Sequence, residues 1–186
     1  MIEEVVKDIN LATQLALPEL KSAIIIFFQA MGFRQIEERN DALHIKRGSE
    51  FRNGYTYNPL KWKSDIYIDF RQEGSTTYVK TKFIINTKHQ WVTKKEALVW
   101  ERVFMNYETL IASGKTNIYW LENELKSAKA ANRNILLLTM AGLVVSFVPA
   151  LYLAIEFKMD VLIPVIMGSI TYGFMYVGIR TSNRTT

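Results

Sequence analysis

Hydrophobic and polar positions divide the chain into two parts. Residues 135–155 and 161–179 carry no ionisable side chain, whereas the residues before them mix apolar and polar positions at short periods. "ILLLTMAGLVVSFVPALYLAI", Ile135 to Ile155, is 21 residues long and would rise about 31 Å as a helix. "VLIPVIMGSITYGFMYVGI", Val161 to Ile179, is 19 residues and would rise about 28 Å. Each length matches one hydrocarbon thickness. Each helix would also be apolar on every face, and the rest of the chain is too small to bury both. The pattern predicts a transmembrane helical hairpin over 135–179, joined at "EFKMD", with Asp160 capping the second helix.

Lysine and arginine bias orients the hairpin. Lys126, Lys129 and Arg133 precede the first span, Arg180 and Arg184 follow the second, and the turn carries Lys158 alone. Cytoplasmic flanks collect such residues, so both termini are expected in the cytoplasm, with 180–186 as a short tail. Pro149 frees the Val145 carbonyl and predicts a kink in the first span, with Ser146 placed to satisfy the freed group. Gly142, Ser146, Ala150 and Ala154 put small residues at every fourth position, and Ser169 and Gly173 repeat the spacing in the second span. Such a face serves packing within the hairpin or a homo-oligomeric interface. No charge falls at mid-membrane, which argues against a proton relay. A pore lined by Thr139, Ser146, Ser169 and Thr171 is a second reading of the same helices.

The preceding 1–114 reads as a cytoplasmic α+β domain, helices on a small, mostly antiparallel sheet of about four strands. Ile2, Val5, Val6, Ile9, Ala12 and Leu15 to Leu17 are spaced for an amphipathic helix. "LPELKSAIIIFFQAMGF" predicts a second, buried helix, with Pro18 and Glu19 in its first turn and Gly32 just past its end. Two short strands meet at Asn40-Asp41, and a longer hairpin turns around Glu73-Gly74-Ser75. In that hairpin Ile66, Ile68, Phe70, Val79, Thr81, Phe83 and Ile85 share the core face, and Asp65 and Asp69 are read as cross-strand partners of Lys80 or Lys82. Thr93 and Glu96 stand in the capping-box relation at the head of a helix that ends at Gly114. Segment 115–134 predicts a juxtamembrane helix running toward the first span.

Charge and composition then narrow the chemistry. The formal net charge is +5, with 0 Cys and 2 His. Without cysteine there is no disulfide, thiolate metal site or cysteine nucleophile, and a reducing compartment fits. The acidic "MIEEVVKDIN" lacks the basic region of a leader peptide, so no cleavage is expected. Asn183-Arg184-Thr185 spells a glycosylation sequon that has no meaning on a cytoplasmic tail. No phosphate-binding, dinucleotide, hydrolase or zinc-protease motif occurs, and no cofactor or metal is expected.

The one biased region, 44–95, holds eleven Lys and Arg against four acids. Aromatics interleave with that charge in "FRNGYTYNPLKW", which contains Tyr55, Tyr57 and Trp62. Lys46, Arg47, Arg52, Tyr57, Lys61, Trp62, Lys80 and Lys82 are therefore candidates to bind lipid headgroups, an anionic small ligand or nucleic acid. The expected function is a membrane-held binding or regulatory module that self-associates or meets a membrane-protein partner. The alternatives are an oligomeric pore gated by the cytoplasmic domain and a membrane-tethered enzyme built on His44 or His89 with a nearby carboxylate.

Overall fold

The computed structural model describes residues 4–53, 56, 58–88, 90, 92–115, 118–157 and 163–184. The chain divides into two compact units, Met1–Val92 with Glu96–Leu125, and Thr93–Lys95 with Lys126–Thr186. The elements run β1 (Glu4–Thr13), α1 (Leu17–Ala30), β2 (Gln35–Glu38), β3 (Ala42–Arg47), α2 (Glu50–Asn53), a 3₁₀ turn (Pro59–Lys61), β4 (Ser64–Glu73), β5 (Thr76–Asn86), α3 (Lys94–Ser113), α4 (Trp120–Phe157) and α5 (Ile163–Arg184).

Five strands form one antiparallel sheet in the order β1-β5-β4-β3-β2. Period-two alternation decides its faces: Leu43, Ile45, Ile66, Ile68, Phe70, Val79, Phe83 and Ile85 are buried. Tyr67 and Tyr78, on the opposite face, are exposed. Helices α1 and α3 cover the buried face and meet it in an aromatic cluster of Phe27, Phe28, Phe83 and Tyr107. The buried Tyr107 hydroxyl lies 2.6 Å from Thr81 Oγ1, which satisfies both polar groups inside the core. Gly74, at φ +60°, opens the two-residue β4–β5 turn, as the hairpin turns compatible with strand twist require. Asp69 stands opposite Lys80 in the ladder, whereas Asp65 faces Ile84 and bonds His44.

The first segment is a strand and not the amphipathic helix its spacing suggests. β1 pairs with β5 along ten positions, from Glu4 opposite Asn86 to Thr13 opposite Thr77, giving a fifth strand. Ile9 and Thr13 are buried and Leu11 is half-buried, the period-two set of a strand, whereas Val5, Ile9 and Ala12 also fit a helical stripe. The unpaired edge of β5 decides between them, because its backbone groups need partners that a helix cannot supply.

Helix α1 ends as its sequence predicts. The Gly32 N–H donates to Gln29 O at 2.8 Å and the Phe33 N–H to Phe28 O at 3.0 Å, while the Phe28 and Phe33 rings meet edge to face with centres 5.4 Å apart. From the middle of α1, Lys21 Nζ donates to the carbonyls of Arg39 and Asn40 at 2.7 and 2.8 Å, tying down the β2–β3 turn.

Helices α4, 38 residues, and α5, 22 residues, are long and apolar enough to cross a membrane. α4 stays helical through Pro149. The Ser146 hydroxyl donates to Leu143 O at 2.9 Å, so it does not reach the Val145 carbonyl freed by the proline. A Cβ at Gly142 would stand 2.8 Å from Phe174 Cβ, and one at Gly178 would stand 3.1 Å from Ile135 Cα. Ser182 Oγ donates to Ala131 O at 3.2 Å. The two helices therefore run antiparallel against each other, later positions of α5 meeting earlier positions of α4. The joining turn, with Lys158 and Asp160, lies outside the described residues.

Candidate anion-binding cleft

Four of the basic candidates come together at one end of the sheet. Lys46 and Arg47 at the end of β3, Arg52 in α2 and Lys61 after Pro59 line a cleft of ≈ 570 Å³ with Gly32, Arg34, Gly48 and Ser49. Local chain geometry assembles it. Gly48, at φ +72°, turns the chain out of β3, and a Cβ there would lie 2.7 Å from Lys61 O. Only glycine lets these backbones approach so closely, which brings Lys61 to the end of β3. Asn58 Oδ1 accepts from Leu60 N–H at 3.0 Å and caps the 3₁₀ turn that carries Lys61.

Asn53 fixes the rest of the loop. Its side chain is fully buried; Nδ2 donates to Asn86 O and Oδ1, both at 3.0 Å, and Oδ1 accepts from Lys63 N–H at 2.8 Å. Gln90 Nε2 donates to the Asn53 carbonyl. Each polar atom of this buried amide therefore meets a partner, and α2 is held against the end of β5. Arg52, the preceding residue, is thereby placed at the cleft.

The five cations of the cleft differ in how far they are committed. Lys46 Nζ donates to Glu37 Oε1 at 2.7 Å, a pair that raises the lysine pKa and lowers that of the carboxyl. Arg47 donates to the Met31 carbonyl and lies with its guanidinium carbon 5.3 Å from the Phe33 ring centre. Burial first, then the charges of Arg52 and Arg34, push the Arg47 pKa below its usual value. It remains protonated at neutral pH, so the repulsion among these arginines stays in the folded state. Arg34, Arg52 and Lys61 are exposed, and among the described residues their side chains make no ion pair or hydrogen bond.

The other candidates lie elsewhere. Trp62 is 1% exposed and packs in the core. Lys80 stands between Asp69 and Asn10 on neighbouring strands, and Lys82 between Tyr67 and Asp8. Lys80 also lines a second hollow of ≈ 530 Å³ together with Leu11, Phe70 and Val79. Tyr55, Tyr57 and His89 lie outside the described residues. His44 is stacked on Tyr67 at 4.1 Å, with Nε2 3.2 Å from Asp65 Oδ1 and Nδ1 3.7 Å from Glu37 Oε2. Among the described residues no three His, Cys, Asp or Glu side chains are grouped to hold a metal ion.

In the hairpin, Ser146 and Ala150 are buried with Gly142 on the α4 face that meets α5. Ser169 is exposed and donates to Val165 O at 2.7 Å, and a Cβ at Gly173 would meet nothing within 4 Å among the described residues. The side chain of Ala154 lies outside the described residues.

Sequence reasoning missed Arg34, Gly32, Gly48 and the Asn53 anchor. Arg34 was legible: a hairpin closed at Asn40-Asp41 pairs Gln35 with Lys46 and so brings Arg34 beside Arg47. No protein-family model matches the chain, and no curated protein shows significant similarity to it.

Proposed function

We propose that this protein is an integral membrane binding module. In this reading the α4–α5 hairpin anchors the chain with both termini cytoplasmic, and the α+β unit binds an anionic ligand in its basic cleft. One observation carries the binding half: Arg34, Arg52 and Lys61 converge on a single cleft with no partner of their own among the described residues. Exposed cations with protein partners are ordinary surface, whereas a cluster held together against its own repulsion is stabilised when an anion arrives.

The outward side chains of the hairpin support the membrane half. Leu137, Val144, Phe147, Val148, Tyr152 and Ile155 of α4 and Val165, Tyr172 and Tyr176 of α5 are exposed, a surface suited to lipid. Binding is favoured over a pore because the hydroxyls of Thr139, Ser146 and Ser169 are spent on their own helix carbonyls, and that of Thr171, which has no hydrogen-bond partner among the described residues, is buried. Self-association belongs to the same reading, through the α5 face bearing Ser169 and Gly173.

The absence of native cysteine makes the topology directly testable. Single cysteines at Glu156 and Ser113 in sealed membranes should label from opposite sides, and labelling of both from the same side would sink the anchor. For the cleft, the full chain in nanodiscs should bind inorganic tripolyphosphate saturably, and Arg52→Glu should abolish that binding while leaving the melting curve unchanged. No saturable binding of any anion would end the reading.

A further inference from the structure

We infer that the cleft takes a compact ligand bearing two or more clustered phosphate groups, recognised through its phosphates and not through a base. This inference rests on the anion-binding reading above and specifies its ligand. Charge gives the first argument. Five cations, Arg34, Lys46, Arg47, Arg52 and Lys61, face one space, and among the described residues only Lys46 is paired with a carboxylate, that of Glu37. A single phosphate carries too little charge to balance the remainder, whereas clustered phosphates match it.

Shape and donor type give two more. At about 30 Å³ per water, a cleft of ≈ 570 Å³ holds on the order of twenty waters, several times the space of one inorganic phosphate. Three of the cations are arginines, whose planar forks match the paired oxygens of phosphate groups. A base or a sugar-binding site needs an aromatic or apolar wall. The described lining contains none: Gly32, Gly48 and Ser49 complete it, and Trp62, one residue from Lys61, is turned into the core. Clustered phosphates occur both on free metabolites and on phosphorylated lipid headgroups, and the two sources share this chemistry. Phe51, 79% exposed and next to Arg52 in α2, is the side chain that would distinguish them by entering a bilayer surface.

The test uses the full chain in nanodiscs of phosphatidylcholine, titrated with inorganic phosphate, tripolyphosphate, ATP and citrate. Tripolyphosphate should bind at least ten-fold more tightly than phosphate or citrate, and ATP should gain nothing over tripolyphosphate. Arg52→Gln and Lys61→Gln, both at exposed positions, should each weaken it several-fold without moving the melting curve, and Glu37→Gln, which frees Lys46, should tighten it. A parallel titration compares nanodiscs containing a bisphosphorylated phosphoinositide with its soluble headgroup. Equal binding of the two assigns a free ligand. Binding only on the bilayer, weakened by Phe51→Ala, assigns a lipid. ATP ten-fold tighter than tripolyphosphate, or phosphate or citrate equal to it, overturns the inference while leaving anion binding standing. No anion binding at all overturns both.

Discussion

A Cβ on Gly32 would stand 3.3 Å from both terminal nitrogens of Arg47, so the turn that closes α1 also makes room for a cation of the cleft. Gly32→Ala should cost about 1–2 kcal/mol, because the residue sits at φ +86°, where a side chain is strained. It should also displace the guanidinium and weaken tripolyphosphate binding. Urea unfolding and a binding titration on the same variant check the two effects separately.

Asn53 ties α2 to β5 and to the start of β4 at once. Asn53→Ala strands the part-buried Lys63 N–H and removes the buried donor to Asn86. We expect a loss of about 2–3 kcal/mol in chemical denaturation, with a fall in anion affinity although no charge has changed. A variant as stable as the wild type would show that the amide network is replaceable by water.

Burial raises the Tyr107 phenol above its ordinary value of 10.0. A group whose pKa is higher in the folded state contributes stability that is present below the unfolded value and lost as pH rises through the folded one. Tyr107→Phe, which strands the Thr81 hydroxyl, should therefore be less stable by about 1 kcal/mol at neutral pH. The gap between the two proteins should narrow above pH 10, where ionisation penalises only the tyrosine. Denaturation curves collected on both sides of that value test the sign.

Gly142 and Gly173 should respond in opposite ways. Gly142→Leu drives a side chain into Phe174 and Thr171, and overpacking of this kind costs about 1–3 kcal/mol. Its melting temperature in detergent should fall. A Cβ at Gly173 meets nothing within 4 Å among the described residues, so Gly173→Leu should leave the melt unchanged. Its effect should appear instead in the particle mass measured by light scattering, where a drop marks the α5 face as a contact between copies.

The sequence was most legible where one period had a single interpretation. The β4–β5 hairpin, the glycine ends of α1 and α3 and the two long apolar helices all follow from side-chain spacing and local turn chemistry. β1 was ambiguous because Val5 and Ile9 suit either period, and the choice lay with β5, some seventy residues away. The cleft was half legible for a related reason. Charge density pointed to Lys46, Arg47, Arg52 and Lys61, but strand pairing added Arg34 and set Lys80 and Lys82 beside acids. In the hairpin, small-residue spacing identified Gly142 but passed over Gly178, whose contact with Ile135 depends on how the second helix is rotated.

The pairing of β1 with β5 also sets an order of events during synthesis. Glu4 lies opposite Asn86, so the first strand cannot dock until more than eighty residues have been made. At about 5–20 residues per second that wait is on the order of 4 to 16 s. Throughout it the backbone groups of β1 and the side chain of Ile9 have no sheet to join, and the nascent chain depends on whatever shelters them until β5 emerges.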